Sequence, residues 1–91
     1  MKICELKDNW DLVRKATITK YPYICCALLN RGIETADNAV ILRYGADETI
    51  YRKVAERFRD DIKTGIGGFV DESFRLVVKQ EGNDDVNFEK F

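Results

Sequence analysis

Ninety-one residues, 45% of them apolar and 34% charged, carry a formal net charge of −1. That profile belongs to one folded globular domain, since disordered chains have fewer apolar residues and a larger net charge. It leaves no surplus of cations for neutralising phosphate. No stretch approaches the roughly 18 apolar residues of a membrane span, and the first residues, Met1-Lys2-Ile3-Cys4-Glu5, are charged too early for a signal-peptide core. A cytoplasmic protein with no membrane partner is expected.

In chain order, Asp8 and Asn9 are cap residues ahead of Trp10. Trp10, Val13, Ala16 or Thr17, and Ile18 recur at helical spacing, which predicts an amphipathic helix over 9–19 with Trp10 and Val13 facing the core. Pro22 suits the first turn of a second helix carrying Ile24, Cys25, Ala27, Leu28 and Leu29, closed by Gly32 in the left-handed conformation. Length alone leaves a buried strand open for the same run. Glu34, Thr35, Asp37 and Asn38 mark a turn, and a short strand near Ile33–Ala36 is expected to pair with the strand Val40-Ile41-Leu42-Arg43-Tyr44.

Asp47 heads the clearest helix. Ile50, Tyr51, Val54, Ala55, Phe58 and Ile62 form one stripe, with Arg52, Lys53, Glu56, Arg57, Arg59, Asp60 and Lys63 around the rest. Gly65 ends this helix, Gly65-Ile66-Gly67-Gly68 connects, and Phe74, Leu76 and Val78 alternate along a last strand over 73–80. The expected fold is a small α+β domain of residues 1–81 in the order α-α-β-β-α-β. Its helices pack on one face of a two- to three-stranded sheet, and an acidic tail, 82–91, follows. Charge falls from +3 over residues 1–33 to −1 over 34–64 and −3 over 65–91. This gradient is able to orient a partner electrostatically, although unselected charge on a solvated surface is the plainer account.

The residues argue against catalysis. The chain has no histidine, which removes the commonest general base and every Ser-His-Asp or Cys-His system. Three cysteines, Cys4 and the adjacent Cys25-Cys26, make neither a disulfide framework nor a metal knuckle, and read as small core residues. Asp60-Asp61 and Asp84-Asp85 lie in no calcium-loop pattern, and no phosphate or dinucleotide glycine loop is present. No cofactor and no metal are expected.

Gly65-Ile66-Gly67-Gly68 satisfies G-x-x-G, the loop with which KH domains clamp a nucleic-acid backbone. In that reading Gly65 and Gly68 approach phosphate, and Arg57, Arg59 and Lys63 supply charge. The variable positions hold no cation and Asp71-Glu72 follows, so a helix-to-strand turn is the better reading. Trp10 has the chemistry of a binding anchor but stands at a core position. Phe88 and Phe91 lie three apart on a polar tail and would share one face if the tail became helical on a partner.

The succession Asn9-Trp10-Asp11-Leu12-Val13, Ala27-Leu28-Leu29-Asn30, Asp37-Asn38-Ala39-Val40-Ile41-Leu42-Arg43-Tyr44, the Ile50–Ile62 helix and Phe74-Arg75-Leu76-Val77-Val78-Lys79 resembles the carboxy-terminal α/β domain of bacterial DNA polymerase III gamma/tau subunits. The amino-terminal domain of the replication initiator protein is similar in layout. The resemblance implies a KH-like module that tethers replisome components by protein–protein contact, with a polymerase subunit or helicase as partner. The first functional reading is therefore a non-enzymatic interaction domain with anchors among Tyr21, Tyr23, Ile66, Phe69, Phe88 and Phe91. The alternatives are a nucleic-acid-binding module using Arg57, Arg59, Lys63, Gly65 and Gly68, and a small virus- or mobile-element-encoded protein that inhibits a host factor by binding it.

Overall fold

β-branched and aromatic residues at alternate positions make Ala39–Tyr44 the central strand of the fold, with Val40, Leu42 and Tyr44 inside and Arg43 outside. The computed structural model describes residues 1–81. Along the chain run α1 (Ile3–Leu6), α2 (Trp10–Lys20), a 3₁₀ turn (Pro22–Ile24) leading into α3 (Cys25–Leu28), β1 (Glu34–Ala36), β2 (Ala39–Tyr44), α4 (Thr49–Arg57), α5 (Arg59–Gly67) and β3 (Arg75–Gln80). β1 pairs antiparallel with β2, Thr35 opposite Val40. β3 pairs parallel with β2, Val40 opposite Leu76 and Tyr44 opposite Gln80, so the sheet order is β1-β2-β3. A parallel pair needs a crossover, and α4 and α5 supply it. The domain is thus a mixed α+β fold in the expected order, and Pro22–Leu28 is helical.

Several local expectations are corrected. The Ile50–Ile62 helix is two helices, because the backbone leaves helical geometry at Phe58 (φ −107°, ψ 27°). Its stripe does not run through the break. α4 buries Arg52 and Ala55 while Ile50 and Tyr51 stand 74% and 43% exposed, and α5 buries Ile62, Gly65 and Ile66. Gly65 does not end a helix. It is the point where α5 meets α2, and a Cβ there would stand 2.6 Å from Thr17 Cγ2. Asn30 (φ 55°), not Gly32, takes the left-handed position after α3, a conformation asparagine tolerates. Glu48, not Asp47, occupies the cap position of α4. A short first helix, α1, precedes α2, with the Lys2 N–H donating to Glu5 Oε1 at 2.8 Å.

The core joins Leu6, Trp10 and Val13 to Ile24 and Leu28, Val40, Leu42 and Tyr44, and Ile62 and Ile66. Trp10 is 5% exposed and its indole N–H donates to the Arg31 carbonyl, so it is a core residue. The Tyr44 hydroxyl donates to the Ala27 carbonyl at 2.7 Å, tying α3 to the sheet. Glu48 locks the turn after β2. Its carboxylate accepts from Arg31 Nη2 at 2.7 Å and from the Gly45 N–H at 2.6 Å. The Arg31 guanidinium, helped by that N–H, holds the Glu48 carboxyl below the ordinary glutamate range. A depressed folded-state value means stabilisation that is full above the unfolded value and is lost as pH falls through the folded one. Glu48→Gln is therefore expected to melt lower than wild type at neutral pH. The gap should close as pH drops below about 4 in thermal melts across pH.

Candidate functional site: an aromatic patch at the helix joint

Two interruptions of helix build the site. α2 stops before Pro22, which fixes the backbone after Tyr21, and Tyr21 closes the helix with its N–H on the Thr17 carbonyl at 2.9 Å. The 3₁₀ turn then carries Tyr23 outward. On the other side, the break between α4 and α5 presents Phe58. The three rings meet edge to face: Tyr21 and Tyr23 have centroids 6.0 Å apart at 66°, and Tyr23 and Phe58 4.9 Å apart at 61°. Tyr21 and Phe58 are half-buried against the core, and Tyr23 is 51% exposed.

A charged rim surrounds the rings. The Tyr23 hydroxyl donates to Asp61 Oδ2 at 2.5 Å. That bond, reinforced by desolvation, raises the Tyr23 phenol to about 12, so it stays a neutral donor at every physiological pH. Lys20 Nζ lies 5.5 Å from the Tyr21 centroid and the Arg57 guanidinium 5.6 Å from that of Phe58. An exposed tyrosine held between two rings and a carboxylate loses little side-chain entropy on meeting a partner. Tyrosine and arginine are also the side chains that dominate binding hot spots.

Of the sequence-predicted anchors, Tyr21 and Tyr23 come together here. Ile66 is wholly buried because α5 runs on past Gly65, and Phe69, beyond the end of that helix, is half-buried against the core. Ile66 therefore offers no exposed anchor. Phe88 and Phe91 lie outside the described residues. The nucleic-acid set divides. Arg57 flanks the patch, whereas Arg59 and Lys63, one turn apart on α5, line a groove along β3 with Asp60 and Arg75. Gly65 is buried against Thr17, which removes it from any phosphate-clamping loop. Gly68 is exposed at the end of α5 with ordinary right-handed geometry.

Phe58 and Asp61 belong to this patch although the sequence pattern places Phe58 on the core stripe and singles out Asp61 for no contact. Asp61 is half-buried, and its partner is 38 positions away, beyond the reach of any local pattern. Cys4 and Cys26 are exposed and Cys25 half-buried, so the cysteines are not the core residues their type suggests. Among the described residues no group of three histidine, cysteine, aspartate or glutamate side chains is placed to hold a metal ion. No helix among them is long and apolar enough to cross a membrane. Comparison with protein-family models, curated proteins and solved structures found no match to this chain.

Proposed function

We propose that this chain is a non-enzymatic protein–protein interaction domain and that the Tyr21–Tyr23–Phe58 patch is its contact surface. The observation that carries the reading is Tyr23. A half-exposed ring is fixed by two neighbouring rings and by Asp61, between the cations Lys20 and Arg57. That chemistry fits a protein segment presenting an apolar or aromatic side chain beside a carboxylate. The sequence, without histidine, supports binding over turnover. The resemblance to gamma/tau carboxy-terminal domains supports a KH-like layout and a replisome-tethering role, with a polymerase subunit or helicase as partner.

Capture of partners from host lysate by the full chain, read by mass spectrometry, tests the proposal. Tyr23→Ala is expected to weaken the dominant protein partner roughly thirtyfold. Tyr23→Phe should retain most of the binding, and alanine at the exposed Tyr51 should change it little. Equal capture by wild type and Tyr23→Ala would remove the patch from the interface.

A second reading rests on the same rings. Clustered aromatics beside Lys20 and Arg57 also suit the stacking of single-stranded bases. It requires nucleic-acid affinity that falls steeply with salt, and a gel shift at low salt that shows no complex would eliminate it.

A further inference from the structure

We propose that the groove between α2 and α3 binds a small amphipathic carboxylate, a molecule with an apolar body and one carboxylate head. Its volume is about 520 Å³, within the roughly 300–1,000 Å³ of small-molecule sites. α2 contributes Arg14, Lys15, Ile18 and Thr19, α3 contributes Cys25, and Leu29 follows. Ile18 and Cys25 are half-buried, and Leu29 is one of the large apolar residues left exposed. None of the three rings of the aromatic patch lines this groove.

Arg14 supplies the reason for a ligand. Its side chain is largely buried, and its Nε is a buried nitrogen with no hydrogen-bond partner among the described residues. Buried donors in proteins are nearly always paired, and leaving one unpaired is costly. What holds the guanidinium is slight. Nη2 reaches Asp11 Oδ1 at 3.3 Å, and that carboxylate is highly exposed, so the pair contributes little. An anion entering the groove is able to draw the guanidinium to itself and give Nε an acceptor. Lys15, exposed and one residue on, has no ion-pair partner among the described residues.

The chemistry selects the occupant. Arginine and lysine beside apolar walls call for an acceptor head on an apolar body. With Asp11 beside Arg14, two cations and one acid leave a net charge of +1, which suits a carboxylate better than a dianionic phosphate. Length argues against a docked helix. α2 lines the groove only from Arg14 to Thr19, about 7.5 Å at the helical rise. A helix seated by anchors at i, i+4 and i+7 needs about 10.5 Å.

Titration of the full, isotopically labelled chain with octanoate, followed by two-dimensional NMR, tests the proposal. Shifts that saturate in the millimolar range are expected at the Arg14 Nε–H and at the amides of Ile18, Cys25 and Leu29. Octylammonium, with the same chain and the opposite charge, should bind at least about tenfold more weakly. So should octanoate to Arg14→Gln and to Lys15→Glu. Lys15 is exposed, so its variant tests the site even where Arg14→Gln does not fold. Octanoate should also slow alkylation of Cys25 by iodoacetamide. Cys4 and Cys26, neither of which lines the groove, should react as before. No saturable shift, or shifts centred elsewhere, would overturn the proposal. So would equal binding of octanoate and octylammonium, which would make the groove merely apolar, or tighter binding of octyl phosphate, which would assign the head to a phosphate.

Discussion

Alanine at Gly65 is expected to destabilise the domain by about 1–2 kcal/mol, and leucine by considerably more. The direction is informative because two effects oppose each other. In an exposed helix interior, replacing glycine by alanine gains up to about 1 kcal/mol in propensity. Here the new methyl would stand 2.6 Å from Thr17 Cγ2 and 3.2 Å from Thr17 Cβ. Thr17 is unable to swing aside. It is β-branched, 1% exposed and held by its hydroxyl on the Val13 carbonyl at 2.8 Å. The overpacking cost of about 1–3 kcal/mol exceeds the gain. Thr17→Ala removes the clashing methyl and should recover part of the loss in the Gly65→Ala background, although alone it is destabilising. Thermal melts of the four proteins measure the coupling. A Gly65→Ala variant as stable as wild type would mean that α2 and α5 do not approach as described.

Gln80→Ala is expected to cost about 3–4 kcal/mol, as much as truncating a large apolar core residue. Gln80 is 2% exposed and stands at the end of β3. Its oxygen accepts from Arg52 Nε at 2.7 Å, and its amide nitrogen donates to the carbonyls of Gly45 and Ala46 and to the Thr49 hydroxyl. One side chain thus joins β3, the turn after β2 and the first residue of α4. Removing it strands the Arg52 guanidinium, itself 7% exposed, with only part of its partnering, which includes Glu56. A domain of this size has roughly 5–15 kcal/mol in total, so a fall in melting temperature of about 15 °C or more is expected. Gln80→Glu separates the two halves of the network. It keeps an acceptor for Arg52 and loses the donor to three oxygens, so it should fall between wild type and Gln80→Ala. A melt of Gln80→Ala within a degree or two of wild type would show that the network contributes little.

What the sequence discloses about this fold follows the reach of each signal. Val40, Leu42 and Tyr44 alternate with Ile41 and Arg43, so β2 and its inward face are legible at once. Trp10 and Val13 give α2 and its buried side equally well. Legibility fails where tertiary contacts override local pattern. Gly65 carries the signature of a helix end, but a glycine also serves where two helices touch, and only the position of Thr17 decides between them. Arg52 looks like a surface cation and is buried because Gln80, 28 residues later, reaches it. The apolar spacing from Ile50 to Ile62 conceals the break at Phe58, because a single residue outside helical geometry leaves no mark on that spacing.

The candidate site shows the same division. Tyr21 and Tyr23 stand out as aromatics beside a proline, and the exposure of Tyr23 follows from Pro22 ending α2. Phe58 and Asp61 join them only through the packing of α5 on α2, for which no local pattern exists. Ile66 misleads for the same reason, being drawn inward by a helix that continues beyond its expected stop.

The central claim is that the aromatic patch is where a protein partner docks. The most direct measurement is the amide-exchange footprint of the full chain in complex with its captured partner, compared with the free chain. Protection concentrated at residues 20–24 and 57–61, and lost together with affinity in Tyr23→Ala, is the predicted result. A footprint that leaves both segments unprotected, with Tyr23→Ala binding as tightly as wild type, would contradict it.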